Sequence, residues 1–263
     1  MDEPSKAARA FMVDAEAPLV LAGPPRAVRG EFRVQNATEE KLSVRGAVLR
    51  GAPPAGRAKK QQAAMASLLP ASGLALRRIL MRPGQSRPVP VALELDPRTP
   101  PGTYHAELML EDQRRAVVVH VTEDVSLELA PEDIVLPNRA GEKFKRTVVF
   151  TNHGNVDIPI RSLGTVVLDE ELVHCRALRG ALDDVGDTME SLDDFVVALG
   201  KRYKRLYETL ALKVHNEAVT LAPGDTRAIE LTITLPDKLE GRSRYTGYAA
   251  ISTNSLSFAI VPD

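Results

Sequence analysis

Apolar and polar residues alternate along most of the chain, in short runs that end at turn residues. The clearest runs are "EFRVQN" (31–36) and "SRPVPVALEL" (86–95), where nearly every second residue is apolar. This alternation is typical of β-strands that turn one face towards a core. In the first half of the chain it predicts strands near residues 17–22, 28–36, 41–50, 74–82, 87–95, 102–111 and 114–122.

The second half repeats the same phrases. "RPGQSRPVPVALEL" (82–95) returns as "APGDTRAIELTITL" (222–235), and "GEFRVQNATEEKLSV" (30–44) aligns with "RTVVFTNHGNVDIPI" (146–160). Asn36 then lies opposite Asn152, and Tyr104 lies opposite Tyr245. A repeated unit of this length indicates two tandem domains. The second copy is predicted to have strands near residues 126–136, 143–151, 156–168, 213–221, 226–235, 244–252 and 255–261.

These phrases resemble bacterial immunoglobulin-like domains, of the kind grouped with CARDB-type adhesion modules. The resemblance is carried by "VQNATEEKLSV" and "FTNHGNVDIPI", by "RPGQSR" and "APGDTR", and by "PGTYHAEL". It implies a mainly β fold of two tandem immunoglobulin-like β-sandwiches, which we assign to residues 1–123 and 124–263. Such modules serve as spacers, adhesins, scaffolds and enzyme appendages, so the resemblance specifies the fold and leaves the function open.

The first domain carries a basic loop insertion at residues 51–73. Between residues 41 and 93 the chain has ten Lys or Arg residues and no Asp or Glu. Residues 1–123 contain 18 basic and 13 acidic residues (+5), and the remainder contains 16 and 22 (−6). This asymmetry predicts a positive surface on the first domain. Either it is an ordinary solvated face, or it binds an anionic partner through Arg57, Lys59, Lys60, Arg77 and Arg78.

The second domain carries a helical insertion at residues 169–212. Within it, "SLDDFVVALGKRYKRLYETL" (191–210) has an N-cap serine, acidic residues in the first turn and apolar residues at helical spacing. The pattern predicts a helix with one apolar stripe. That stripe packs either on its own sandwich, or on another protein or a second copy of this chain. In the latter case we expect the partner-binding residues to be Phe195, Leu199, Tyr203 and Tyr207.

No residue pattern indicates catalysis, a cofactor or a metal site. The five histidines lack the spacing of zinc ligands, and the acidic run at residues 183–194 lacks the ligand order of a calcium loop. His174 and Cys175 are adjacent on a predicted strand, which would turn them to opposite faces. The single cysteine is expected to be a buried thiol. We therefore predict a protein that is not an enzyme.

The leading hypothesis is a non-catalytic scaffold or protein-interaction protein that displays the helical insertion and the basic loop. One alternative is an accessory subunit that binds an anionic polymer through the first domain. Another is a periplasmic pilus-type chaperone, whose paired basic anchor we cannot place in this sequence. The N-terminal residues show no secretory signal pattern and no apolar run is long enough to cross a membrane. We expect a cytoplasmic location, or a periplasmic one if a leader was removed.

Overall fold

The computed structural model describes residues 10–13, 16–44, 48–51, 74–75, 79–110, 113–161, 164–186, 192–214 and 219–262. The chain divides into two compact units, Met1–Asp124 with Gly154–Val156, and Val125–His153 with Asp157–Asp263. Each unit is an immunoglobulin-like β-sandwich, and the second carries a helical insertion, so the predicted fold class is confirmed. The boundaries of the independently folding domains, at residues 123 and 124, stay a prediction.

The first sandwich contains ten strands among the described residues. Two predicted strands, 41–50 and 74–82, are each divided in two. The strands are β1 (Ala10–Met12), β2 (Leu19–Gly23), β3 (Val28–Asn36), β4 (Leu42–Val44), β5 (Val48–Gly51), β6 (Leu74–Ala75), β7 (Ile79–Met81), β8 (Ser86–Leu93), β9 (Gly102–Leu110) and β10 (Gln113–Val121).

Two layers of strands enclose the core of the first sandwich. One layer contains β8, β3 and β1, and the other contains β2, β10, β9, β5 and β6, with β4 and β7 as a separate pair. Strand β2 runs parallel to β10 and meets β3 at a single residue pair, so it joins the two layers. Inward residues of both layers form one apolar cluster, which includes Phe32, Val91, Leu108 and Val119.

Strand β8 is an edge strand in the described part of the first sandwich, since β3 is its one strand partner there. Pro88 and Pro90 face Arg33 and Glu31 across this pair. Proline has no N–H with which to donate a ladder hydrogen bond. Because the N–H positions of alternate residues face the same edge of a strand, both missing donors lie on one edge of β8. At an edge position, β8 can therefore pair with β3 through the residues between the prolines, and the side that lacks the two N–H groups faces away from β3.

The second sandwich also contains ten strands among the described residues, together with two helices. The strands are β11 (Leu127–Ala130), β12 (Asp133–Pro137), β13 (Lys143–Asn152), β14 (Ile158–Ile160), β15 (Gly164–Glu170), β16 (Glu208–Val214), β17 (Val219–Leu221), β18 (Thr226–Thr234), β19 (Tyr245–Ile251) and β20 (Asn254–Val261). The helices are α1 (Val173–Val185) and α2 (Leu192–Leu206).

Eight strands of the second sandwich follow the order β11-β13-β18-β16-β15-β19-β20-β12, with β14 and β17 as a separate pair. Strand β15 pairs with β16 through its first part and with β19 through Asp169 and Glu170, so it passes from one layer to the other. The core is one cluster that includes Phe150, Leu168, Leu231 and Phe258.

The two sandwiches share one pairing register. In the first, Leu42 pairs with Met81; in the second, Ile158 pairs with Leu221, which are the positions 116 and 140 residues later. The long central pair agrees as well, because β3 aligns with β8 at the same offsets as β13 with β18. The repeated phrases of the sequence therefore occupy equivalent strands in both sandwiches.

In each sandwich a buried asparagine is hydrogen-bonded to backbone carbonyls at or beside the Pro-Gly turn. Asn36 and Asn152 are both 0% exposed. The Asn36 amide nitrogen donates to the carbonyls of Glu40 and Arg82, at 2.8 and 2.9 Å. The Asn152 amide donates to the Leu221 carbonyl at 3.0 Å. Both backbone N–H groups also donate to the carbonyl of the residue after the glycine. The end of one strand is thus hydrogen-bonded to the turn that precedes its neighbour.

The turn itself has the same geometry in both copies. The glycines, Gly84 and Gly224, have φ values of +62° and +82°, which side chains disfavour and which the third position of a type II turn requires. The following residues, Gln85 and Asp225, donate a backbone N–H three residues back, and their side-chain oxygens accept the N–H of that same residue. The Pro-Gly motif therefore occurs twice in the sequence because the same turn occurs in both sandwiches.

A buried tyrosine also holds an equivalent corner in each sandwich. The Tyr104 hydroxyl donates to the Pro100 carbonyl at 2.7 Å, and the Tyr245 hydroxyl accepts the Glu240 N–H at 2.9 Å. A tyrosine bonded to the backbone a few residues upstream, at the start of a late strand, is the tyrosine corner of immunoglobulin-like sandwiches. Burial raises the pKa of both tyrosines above the ordinary value of 10.0.

We expect Asn36→Ala and Asn152→Ala each to lower the stability of their own sandwich by about 2–3 kcal/mol, because each removes buried amide hydrogen bonds and leaves carbonyls unsatisfied. Calorimetry of the full chain would measure the shift. Asn254→Ala is the control, since its amide nitrogen makes longer contacts of 3.3 and 3.5 Å and its oxygen accepts an exposed N–H from Ser255, and it should cost less than about 1 kcal/mol. Equal effects of all three variants would contradict this role for the two buried asparagines.

The tyrosine corners should make the protein sensitive to alkali. Because the folded pKa of Tyr104 and Tyr245 lies above the unfolded one, their stabilisation is complete below about pH 10 and is lost as the pH rises through the folded pKa. In Tyr245→Phe, urea midpoints measured at pH 8 and pH 11 should therefore differ less than in the native protein. Tyr248→Phe, on the same strand but 73% exposed, should keep the native difference.

Candidate interaction surface

The helical insertion forms a hairpin of two helices between β15 and β16. Helix α1 buries Val173, Ala177 and Ala181, which are four residues apart and therefore share one face. This helix was not expected at His174 and Cys175, which were predicted to lie on a strand. That prediction is wrong, because the four-residue spacing of small apolar residues matches a helix face. Cys175 is also exposed, contrary to the predicted buried thiol.

An ion pair between a buried carboxylate and a half-buried arginine fixes the first turns of α1. Glu170, at the end of β15, is 5% exposed and accepts hydrogen bonds of 2.8 Å from Arg176 and 2.7 Å from Ser243. Arg176 also pairs with Glu240. Its hydrogen bonds to Glu240 and then Glu170 raise the pKa of the Arg176 guanidinium. A buried carboxylate is costly without a cation. Moving Arg176 away would therefore leave the Glu170 charge buried and uncompensated.

Polar and aromatic contacts join the two helices. The His174 Nδ1 atom lies 2.7 Å from the Tyr203 hydroxyl, and the Tyr203 and Tyr207 rings stack with centroids 6.1 Å apart. Arg202 of α2 pairs with Asp184 of α1, which raises the pKa of the guanidinium. It crosses α1 at Gly180, where an added Cβ would stand 3.0 Å from the Arg202 Nε atom. A side chain at residue 180 would therefore push the arginine away.

The predicted partner-binding residues occupy the less accessible side of α2. Phe195, Leu199 and Tyr203 are half-buried, while Tyr207 is 42% exposed and follows the end of the helix. The helix ends at Leu206, so its predicted continuation to residue 210 is wrong. Leu210 instead lies fully buried in β16, where pairing with β15 and β18 overrides the helical spacing.

Within the two helices, five large apolar residues are exposed to solvent. Their exposed fractions range from 43% to 71%. On each helix two of them are four residues apart, so they share a face. We call this set the exposed hairpin residues: Leu178 and Leu182 of α1, and Leu192, Val196 and Val197 of α2. The first two were not predicted because α1 was not predicted; the four-residue spacing of Val173, Ala177 and Ala181 is its one signal in the sequence, and it is weak.

The predicted anion-binding residues, Arg57, Lys59, Lys60, Arg77 and Arg78, lie outside the described residues. The same acid-free stretch nevertheless lines a pocket of about 550 Å³ on the first sandwich, beside the β4–β7 pair and the start of β8. Three of its lining residues are cationic and none is acidic. They are Lys41, Leu42, Ser43, Leu80, Met81, Arg82, Gln85 and Arg87.

The described residues contain neither a metal-binding cluster nor a membrane-spanning helix. No three His, Cys, Asp or Glu side chains there come together as a metal site would require. Neither of the two helices described is both long enough and apolar enough to span a bilayer.

Comparison with known proteins finds no family. No protein-family model and no curated protein matches the chain. A crystal structure of a protein of unknown function from Porphyromonas gingivalis is 11% identical, covers 97% of this chain and 100% of its own, and has a TM-score of 0.26. Titin domains z1z2 in complex with telethonin are 9% identical, with coverages of 97% and 96% and a TM-score of 0.25.

A third similar structure is the ASH/PapD-like domain 7 of human CEP192, which is 10% identical, covers 53% of this chain and 86% of its own, and has a TM-score of 0.26. At these TM-scores the similarities add nothing to the fold shown by the strand pairing. The narrower resemblance to CARDB-type modules stays a prediction.

Removing the cation from the base of the hairpin should be strongly destabilising. We expect Arg176→Met to lower the free energy of unfolding by about 2–4 kcal/mol, because Glu170 then stays buried without a cation. Adding Glu170→Gln should restore much of the loss. Arg139→Met, which breaks an exposed pair with Glu142 at 3.7 Å, should change stability by less than about 1 kcal/mol. Urea unfolding would measure all three, and equal effects of the two arginine variants would contradict the role of the buried pair.

Proposed function

We propose that the protein is a non-catalytic interaction scaffold whose second sandwich presents the helical hairpin to a protein partner. The observation that supports this most is the set of exposed hairpin residues, all of which are large, apolar and at least 43% exposed. Single exposed apolar residues are common on proteins, but paired ones on helix faces are typical of binding surfaces. A protein partner fits such a surface because helices dock through apolar residues at three- and four-residue spacing.

The anchoring of the hairpin is consistent with this role. Its base is fixed by the Glu170–Arg176 pair, and its helices are joined by the Arg202–Asp184 pair and by the His174–Tyr203 contact. A surface that is held in one conformation loses less conformational entropy on binding than a loop does. The sandwich supplies a rigid base, and the two helices supply the contacting side chains.

Two sets of variants distinguish contact with a partner from internal packing. Leu182→Ser with Val196→Ser removes exposed apolar groups, so the melting temperature should hardly change while capture of the partner from native cell extract is lost. Phe195→Ala and Leu199→Ala remove half-buried groups, so each should lower stability by about 1–3 kcal/mol. Thermal melts and quantitative mass spectrometry of the captured proteins would measure both effects.

A matched control is Val135→Ser, which removes a 59% exposed valine from a strand of the same sandwich. It should retain both the melting temperature and the captured partner. If Leu182→Ser with Val196→Ser still captures the same proteins as the control, the hairpin is not the binding surface. Binding of an anionic polymer through the first domain and a cytoplasmic location both remain predictions.

A further inference from the structure

The pocket on the first sandwich combines unpaired positive charge with apolar surface. Lys41, Arg82 and Arg87 are all exposed, and within the described residues no carboxylate forms an ion pair with any of them. The Arg87 guanidinium has a neutral partner, since its Nη1 donates to the Leu80 carbonyl at 3.4 Å. Leu80, also in the lining, is 56% exposed. Gln85 is held in place, since its side-chain oxygen accepts the Arg82 N–H at 2.8 Å. The pocket is therefore suited to an anionic group that is attached to apolar atoms.

The fold does not require these cations. In the second sandwich the equivalent positions of Lys41, Arg82 and Gln85 are occupied by Asp157, Ala222 and Asp225. Arg227, the counterpart of Arg87, pairs with Asp225 at 3.7 Å. The same strands and the same turn thus form in the second copy with one cation, Arg227, among these four positions. The presence of three cations in the first copy indicates binding rather than folding.

The chain carries a segment with the complementary chemistry at the end of its hairpin. Residues 183–194 contain six acidic residues and no basic one. In the described part of this segment, Asp183 and Asp193 are exposed. Leu182 and Leu192, which flank them, are 58% and 71% exposed. We call residues 182–186 and 192–194 the hairpin tip. It presents carboxylates next to leucines, as the pocket presents cations next to Leu80.

We propose that the pocket of one copy of the chain binds the hairpin tip of a second copy. This inference rests on the proposed function, and it names the partner as another molecule of the same protein. A long anionic polymer fits less well, because it would need a track of cations, whereas the pocket groups three cations around leucine and methionine side chains. Pocket and tip are different surfaces, so the contact is head-to-tail and can extend into chains or close into rings.

The first test is self-association of the full chain by sedimentation velocity. At about 50 mM salt the average mass should rise above 28.6 kDa as the concentration increases from about 5 to about 500 µM, the range expected for a small interface. At about 1 M salt, where charges are screened beyond about 3 Å, it should return to 28.6 kDa. A reducing agent is needed, because Cys175 is exposed and its oxidation would link copies independently.

Two variants and their mixture test the head-to-tail arrangement. The pocket variant, Arg82→Ala with Arg87→Ala, and the tip variant, Asp183→Asn with Leu192→Ser and Asp193→Asn, should each stay at 28.6 kDa. Mixed together they should form a dimer and nothing larger, because only the intact tip of the first can enter the intact pocket of the second. Arg227→Ala is the control for Arg87→Ala, since it changes the equivalent residue of the other sandwich, and it should associate like the native chain.

Several results would overturn the proposal: a native chain that stays monomeric at every concentration, a pocket variant that still associates, or a mixture that stays monomeric. Retention of the native chain on heparin that the pocket variant loses, without any self-association, would identify a polyanion as the occupant instead. The proposed function fails separately. If the captured partner is a different protein, and the native chain stays monomeric while Leu182→Ser with Val196→Ser loses that partner, the scaffold role holds and only the self-association is refuted.

Discussion

The fold depends on a buried asparagine amide that links a strand end to a Pro-Gly turn, once in each sandwich. Asn36 and Asn152 lie entirely out of contact with solvent, where an amide is costly unless it is hydrogen-bonded. Both satisfy it with backbone carbonyls near the turn. Because the bonded atoms belong to the backbone, surrounding side chains are free to differ while the turn and the next strand keep their positions.

This constraint explains why the two sandwiches have the same strand register although their sequences differ. Strands β3 and β8 of the first copy align as β13 and β18 do in the second, although Pro88 and Pro90 are replaced by Ala228 and Glu230. Residues around the turn vary even more, with Arg82 replaced by Ala222 and Gln85 by Asp225. The two copies can thus carry surfaces of opposite charge on one backbone arrangement.

The strands and the duplication could be predicted because their signals are local and repeated: alternating apolar residues, Pro-Gly phrases and aligned asparagines. The hairpin was predicted only in part. Helix α2 has an apolar stripe at helical spacing, but its end depends on Leu210, whose burial in β16 is a long-range effect that periodicity does not contain. Helix α1 was missed because Ala177 and Ala181 give a weak apolar signal.

The candidate surfaces were harder to predict than the fold. Phe195 and Leu199 are apolar and aligned, but burial and exposure on one helix are decided by what packs against it. The sequence could not show that Leu182 and Val196 would be the accessible residues. It did indicate the acid-free stretch that lines the pocket, because a charge imbalance can be counted in the sequence without knowing which residues are close in space. The pocket itself forms only when β4, β7 and β8 come together.

The prolines of β8 have a consequence for the synthesis of the chain. Two adjacent domains with the same strand register can pair wrongly with each other while they fold, and open sheet edges are where such pairing starts. On the outward side of β8, Pro88 and Pro90 offer no N–H to an incoming strand. Their counterparts, Ala228 and Glu230, retain this group, but they lie on β18, whose other side is paired with β16 from Leu231 to Thr234. The first copy therefore protects with prolines a side of the strand that the second copy partly covers with β16.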